Sequence, residues 1–99
     1  MNRHLDNETY LASDMDIGLA ISAMRNGHRV TRDGWNGPGQ YLSLQTPDAG
    51  SKMTLEYIYI TTVQGDLVPW LASQTDLLAN DWKTVPVACS AELPYGLNA

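Results

Sequence analysis

The hydrophobic pattern changes along the chain from a helical period to strand-like alternation. After residue 14, apolar side chains recur at helical spacing and form one face of a short helix, comprising Ile17, Ala20, Ile21 and Met24. Ser13 or Asp14 is expected to cap this helix and Asp16 to lie in its first turn. Gly27 is expected to end it, because glycine adopts the left-handed conformation that commonly follows a helix.

The rest of the chain has the alternation and turn signals of β-strands. Asp33-Gly34 and Gln64-Gly65-Asp66 predict turns. The predicted strands span residues 28–32, 41–45, 53–63, 67–68 and 81–85, and the third is the longest. Ser73, with Asp76 three residues later, predicts a second, short helix through a variant of the capping box.

The order of these elements predicts a small α+β domain with a mostly antiparallel sheet. With 99 residues there is room for one domain, and its core is modest enough that oligomerisation would add useful buried area. We expect an arm over residues 1–13, the domain over 14–85 and a tail over 86–99.

The composition limits the classes of ligand and the cellular location to be expected. Six Lys and Arg against eleven Asp and Glu give 6 − 11 = −5, which argues against broad nucleic-acid binding but leaves room for a small anionic ligand. Cys89 is the single cysteine, so neither a disulfide within the chain nor a cysteine-rich metal site is expected. With no signal-like start and no stretch of about 20 apolar residues, a cytoplasmic location is expected.

A glycine-rich loop around Trp35 is the first candidate site. Glycines at 34, 37 and 39 let a backbone approach a ligand and present N–H groups to an anion, and Trp35 offers a face for a base. Arg32, next to the loop, is a better phosphate candidate than Arg29. On these residues alone, a tight hairpin whose Trp packs into the core is the favoured alternative.

The start of the second helix is the other candidate. Its free N–H groups suit a phosphate, and Ser73, Gln74 and Thr75 add polar groups for phosphate or ribose. Plain helix capping explains Ser73 and Asp76 equally well. Of the two flanking tryptophans, Trp70 is expected near the ligand and Trp82 in the core. We find no nucleophile elbow, phosphate-binding loop or histidine-rich metal spacing, so no catalytic or metal site and no cofactor is expected.

Two segments resemble a known family. Residues 32–39 read R-D-G-W-N-G-P-G, and residues 70–82 read W-L-A-S-Q-T-D-L-L-A-N-D-W. Together they resemble the phage Thoeris anti-defence sponges, over about residues 14–85. The connection between the first segment and the long predicted strand is shorter here than in some relatives, which affects a loop that can line the pocket.

The resemblance implies a homo-oligomer, dimer or tetramer, in the host bacterial cytoplasm. It would hold a cyclic ADP-ribose-type signal, or a cyclic oligonucleotide, without cleaving it. The alternatives are a hydrolase of the same nucleotides and a protein inhibitor of a defence enzyme. We expect Trp35→Ala and Arg32→Ala to weaken capture while the fold survives. The residues expected to bind the ligand are Arg32, Trp35, Asn36, Gly37, Gly39, Trp70, Ser73, Gln74, Thr75 and Asp76.

Overall fold

A computed structural model describes residues 11–35 and 39–86. Within these residues, five strands form one sheet and two helices lie in the order α1, β1 to β4, α2, β5. Neither described helix has the length and apolar character that crossing a bilayer requires. The elements are α1 (Ile17–Arg25), β1 (Arg29–Arg32), β2 (Tyr41–Gln45), β3 (Tyr57–Thr61), β4 (Leu67–Pro69), α2 (Gln74–Leu78) and β5 (Trp82–Val85).

The sheet is antiparallel at each of its strand pairs, and the strand order is β4-β3-β2-β1-β5. A turn over residues 32–35 follows β1, where the Trp35 amide donates to the Arg32 carbonyl. Another short turn joins β3 to β4, and there Gly65 has the positive φ of 92° that the turn requires. The predicted α+β class with a mostly antiparallel sheet and two helices is therefore confirmed.

Helix α1 begins later than the sequence predicted. Asp16 is its N-cap, and its carboxylate accepts a hydrogen bond of 2.9 Å from the Leu19 amide. Ser13 and Asp14 do not cap it, because Asp14 has a left-handed φ of 56° and Met15 pairs with Trp82 across a β-bridge. The helix ends at Arg25, with Asn26 as its C-cap, and Gly27 follows at a φ of 90°, as predicted.

The core lies between α1 and the β2-β1-β5 part of the sheet. Val30, Leu42 and Trp82 are fully buried there, together with Ala20 and Met24 from the helix. Val30 lies opposite Leu42 and Thr84, so neighbouring strands present their buried residues to the same side. This packing anchors β1 and β5, the strands that carry the candidate site.

The long strand predicted over residues 53–63 is shorter in the structure and covers only Tyr57–Thr61. Pairing with β2 starts where Tyr57 meets Gln45, because the chain before that point turns through residues 48–51. The preceding residues therefore lack a partner strand, and Leu55 is 79% exposed although its spacing fits a strand.

Candidate functional site

Helix α2 begins with a complete capping box. The Ser73 hydroxyl accepts from the Asp76 amide at 3.0 Å, and the Asp76 carboxylate accepts from the Ser73 amide at 3.1 Å. The predicted capping is confirmed, with the shorter Asp side chain in the position that Glu or Gln usually fills. This box fixes the Asp76 carboxylate in one orientation.

The other oxygen of that carboxylate binds two residues near the glycine-rich loop. Oδ1 of Asp76 accepts from Nη1 of Arg32 at 2.9 Å and from the indole Nε1 of Trp35 at 3.0 Å. Asp76 is only 8% exposed, so these bonds satisfy a carboxylate that burial would otherwise leave unpaired. Both oxygens of Asp76 therefore serve the protein's own groups.

A second carboxylate, Asp81, holds three consecutive residues at the end of β1. Its Oδ1 accepts from Nε of Arg32 at 2.7 Å, its Oδ2 accepts from the Gly34 amide at 2.8 Å, and its backbone carbonyl accepts from the Asp33 amide at 3.2 Å. No pattern in the sequence indicates a partner for the Asp81 carboxylate. Its place just before β5, which pairs with β1, is the feature that brings it to the loop.

The charges of this network stabilise one another. Burial alone raises the pKa of Asp76, but hydrogen bonds from Trp35, Ser73 and Arg32 outweigh it and lower the pKa to about 2. The Arg32 guanidinium is the main cause of a lowered pKa at Asp81. In turn, the hydrogen bond to Asp81 raises the pKa of Arg32. At neutral pH the network consists of one cation between two carboxylates.

The three tryptophans form one cluster with Trp82 at its centre. The Trp35 ring lies 5.4 Å from that of Trp82 at 78°, and the Trp70 ring lies 5.9 Å away at 89°, both edge-to-face. The Trp82 indole donates to the Asp76 carbonyl at 3.0 Å. The prediction that Trp82 lies in the core is confirmed, and Trp35 and Trp70 are half-buried against it.

An open cavity of about 440 Å³ lies beside this network, on the sheet face opposite α1. The Lys83 ammonium pairs with Asp33 at 2.6 Å, and the Arg29 guanidinium lies 4.7 Å from the centre of the Tyr41 ring. Asp33 lines the cavity, and the other residues that define it chemically are Arg32, Trp35, Gly39, Gln40, Tyr41 and Lys83.

The predicted site residues fall into three groups. Arg32, Trp35 and Gly39 line the cavity. Trp70 and residues 73–76 do not line it; they lie behind Trp35 and connect to it through Asp76 and Trp82. Asn36 and Gly37 lie outside the described residues.

Sequence reasoning gave no role to Tyr41 and Lys83, which also line the cavity. Strand alternation is the signal that would have found them. Thr31 and Lys83 are directly opposite in the sheet, and Tyr41 shares their side. Among residues 11–35 and 39–86 we find no group of three His, Cys, Asp or Glu side chains that could hold a metal ion.

Comparison with known proteins gives one consistent result. The sequence profile of the Thoeris anti-defense 2-like domain matches residues 15–85. This chain belongs to that family. A relative, Thoeris anti-defense 2 of Bacillus phage SP01, is 31% identical over 88 residues, which cover 76% of this chain and 99% of the relative. The segment that matches the Thoeris anti-defense 2-like domain contains the Arg32–Asp76–Asp81 network and all of the residues named for the cavity.

Proposed function

We propose that this chain is a phage anti-defence protein that sequesters a cyclic ADP-ribose-type immune signal, or a related cyclic oligonucleotide, without cleaving it, so that the defence effector is not activated. Membership of the Thoeris anti-defense 2-like family supports action against Thoeris. The single observation that carries the choice of ligand is the cavity beside Trp35, where aromatic rings and cationic groups meet.

The cavity has the chemistry that a nucleotide requires. Its volume of about 440 Å³ lies within the roughly 300–1,000 Å³ of small-molecule sites. The whole sequence has six Lys and Arg, and three of these, Arg29, Arg32 and Lys83, lie at this cavity or against its lining. Arg32 is already held by Asp76 and Asp81, whereas Lys83 pairs with the exposed Asp33 and Arg29 lies over the Tyr41 ring. Lys83 and Arg29 are therefore the cations that we propose for a phosphate group.

In the proposed complex each part of the site has a separate role. Trp35 and Tyr41 offer ring faces to the bases, at about 1–3 kcal/mol for each stacked base. Lys83 and Arg29 balance the diphosphate charge, with amides of the 36–39 loop, including those of Asn36, Gly37 and Gly39, as further donors. Trp70 and the polar side chains of Ser73, Gln74 and Thr75 extend the site on the other side of Trp35.

The two carboxylates that hold Arg32 support binding rather than hydrolysis. A general acid needs a pKa near the working pH, whereas the pKa of Asp76 is about 2 and both its oxygens are engaged. The pKa of Asp81 is also lowered, and its carboxylate binds Arg32 and Gly34. We therefore propose a non-catalytic protein that acts by outnumbering the signal in the host cytoplasm.

We also propose that the protein works as a homo-oligomer. The face of the sheet opposite α1 has no second layer within the described residues, and it carries Tyr41, Tyr57 and Tyr59. The cavity opens on this face, so a second copy would enclose a ligand that one chain leaves open to solvent. Native mass spectrometry of the full chain, with and without captured compound, measures the number of copies in the assembly.

A capture-and-release experiment tests the function. The purified protein is mixed with isomers of cyclic ADP-ribose and with cyclic oligonucleotides, filtered, and then denatured by heat. We expect one compound to disappear from the filtrate and to return unchanged. Return of an altered compound would make the protein a hydrolase, and failure to retain any compound would favour the protein-inhibitor alternative.

Two charge-matched variants test whether the ligand binds in the cavity. Lys83→Met and Lys52→Met remove the same charge, but only Lys83 lines the cavity. We expect Lys83→Met to weaken retention about tenfold, as the loss of about 1.4 kcal/mol would. Lys52→Met should retain the compound as the wild type does; equal effects of the two changes would place the ligand elsewhere.

A further inference from the structure

The start of the glycine-rich loop is attached to the protein by two carboxylates that come from distant parts of the chain. Asp81 accepts from the Gly34 amide, and Asp76 accepts from the Trp35 indole. The Trp35 amide also donates to the Arg32 carbonyl at 3.3 Å, which closes a turn over residues 32–35. Both the backbone of this turn and the ring that follows it are therefore fixed.

Asp81 has the larger part in this arrangement. Its side chain and carbonyl bind residues 32, 33 and 34 in succession, so the whole turn rests on one residue. Arg32 connects it to Asp76, which orients the indole. We propose that Asp81 is a positioning residue that sets the conformation of the turn over residues 32–35, and thereby the orientation of Trp35. Its effect on ligand capture rests on the function proposed above.

Gly34 provides independent support for this role. Its φ is not positive, so backbone conformation does not demand glycine at this position. A Cβ atom added to Gly34 would lie 2.9 Å from Oδ2 of Asp81 and 3.0 Å from Nη2 of Arg32. These are closer than carbon atoms normally approach such groups. The space at Gly34 is therefore taken by the carboxylate that holds the turn.

The physical benefit is preorganisation. A loop that is ordered before binding loses less conformational freedom when the ligand arrives, and ordering a side chain costs about 0.5–1.5 kcal/mol. Asp81 provides this order without facing the ligand, because its oxygens are directed at Arg32 and Gly34. Replacing Asp81 should lower the affinity for the ligand, because the turn would be less ordered in the free protein. The contacts available to the ligand would stay the same.

The test uses three variants of the full chain. Asp81→Asn replaces one acceptor oxygen with an amide that donates, and Gly34→Ala displaces the carboxylate while leaving its charge. Asp66→Asn is the charge-matched control, because it removes one carboxylate charge from the exposed β3–β4 turn, and Asp66 does not line the cavity.

Nitrogen–proton NMR spectra of the free proteins supply the decisive readout. We expect Asp81→Asn to shift the Gly34 amide and Trp35 indole signals and to speed their exchange with solvent, and Gly34→Ala to do the same to the Trp35 indole signal, while dispersed signals elsewhere show an intact fold. Asp66→Asn should leave both signals near their wild-type positions. Unchanged Gly34 and Trp35 signals in Asp81→Asn, or equal shifts of the Trp35 indole signal in all three variants, would overturn the proposal.

Retention of the cyclic ADP-ribose isomer that the wild type captures gives the functional consequence. We expect about tenfold weaker retention in Asp81→Asn and Gly34→Ala, and wild-type retention in Asp66→Asn. Wild-type affinity in Asp81→Asn despite shifted signals would overturn the link to capture. If the wild type retains no compound, the proposed function fails, and the spectra alone decide whether Asp81 positions the turn.

Discussion

The part of the sheet beneath α1 and α2 and the part outside them contain similar residues in different surroundings. Val30 and Val68 belong to one row of paired residues on the same sheet face, through Leu42 and Ile60. Val30 is fully buried, whereas Val68 is 44% exposed. The covering layer, rather than the strand sequence, therefore determines how much each residue contributes to stability.

The ion pairs show the same contrast. Arg32 and Asp76 lie beneath the helices with side chains 12% and 12% exposed, whereas Lys83 and Asp33 lie on the uncovered face with side chains 42% and 60% exposed. Charges shielded from solvent interact more strongly, and removing one partner destabilises the fold more because the other charge stays buried without compensation. Exposed pairs contribute little, because water and salt screen them.

The largest expected effect comes from breaking the covered ion pair. Arg32→Met should lower the free energy of unfolding by about 3 kcal/mol, because it leaves two carboxylates without their cation. Lys83→Met, the matched change on the open face, should cost less than about 1 kcal/mol. Urea unfolding at neutral pH measures both. Similar costs would mean that the covered and open faces do not differ as their burial indicates.

The position of Arg32 in this ion-pair network also changes an expectation drawn from the sequence. Arg32→Ala was expected to weaken capture and leave the fold intact. In the structure Arg32 connects α2 to the end of β1 through Asp76 and Asp81, so we now expect its removal to lower stability as well. Lys83→Met is the better choice when ligand binding alone is to be tested, because Trp35→Ala would also remove a hydrogen bond from the buried Asp76.

The next effect is a dependence on pH. The folded pKa of Asp76, about 2, is below its ordinary value of 3.8, so ionised Asp76 stabilises the fold above pH 3.8 and loses this effect as the pH falls toward 2. The shift corresponds to about 2 kcal/mol. Asp76→Asn should therefore be less stable than the wild type at pH 7, with the gap closing below pH 4.

Urea unfolding between pH 2 and pH 7 measures this difference. Asp66→Asn, in the exposed β3–β4 turn, is the control and should stay within about 0.5 kcal/mol of the wild type throughout. A gap between Asp76→Asn and the wild type that is constant over the whole range would contradict the role of ionised Asp76.

The paired valines include the smallest expected effect, that of Val68→Ala. Val30→Ala should cost about 2 kcal/mol, because it leaves a cavity in a fully buried site. Val68→Ala removes the same atoms from a half-exposed edge strand and should change the free energy of unfolding by less than about 0.5 kcal/mol. Thermal and urea unfolding of the two variants together measure the contribution of the helical cover. An equal loss would show that the β4 edge is covered in solution.

The sequence by itself determined the features that depend on neighbouring residues. Ser73 and Asp76 are three positions apart and form their capping box within one turn of chain, and Gly27 and Gly65 have the positive φ that their turns need. The alternation in β2 predicted its buried side, because strand geometry fixes which side chains share a face. These interactions are local, so a pattern of a few residues specifies them.

Only the tertiary structure decided the features that join distant parts of the chain. Arg32 meets Asp76 across 44 residues and Asp81 across 49, and no local pattern indicates which carboxylate a cation will reach. Because Met15 pairs with Trp82, α1 begins only at Ile17. Because β2 ends at Gln45, β3 has a partner over only five residues. The candidate site depends on such contacts, because strand pairing and helix packing bring its cations, rings and carboxylates together.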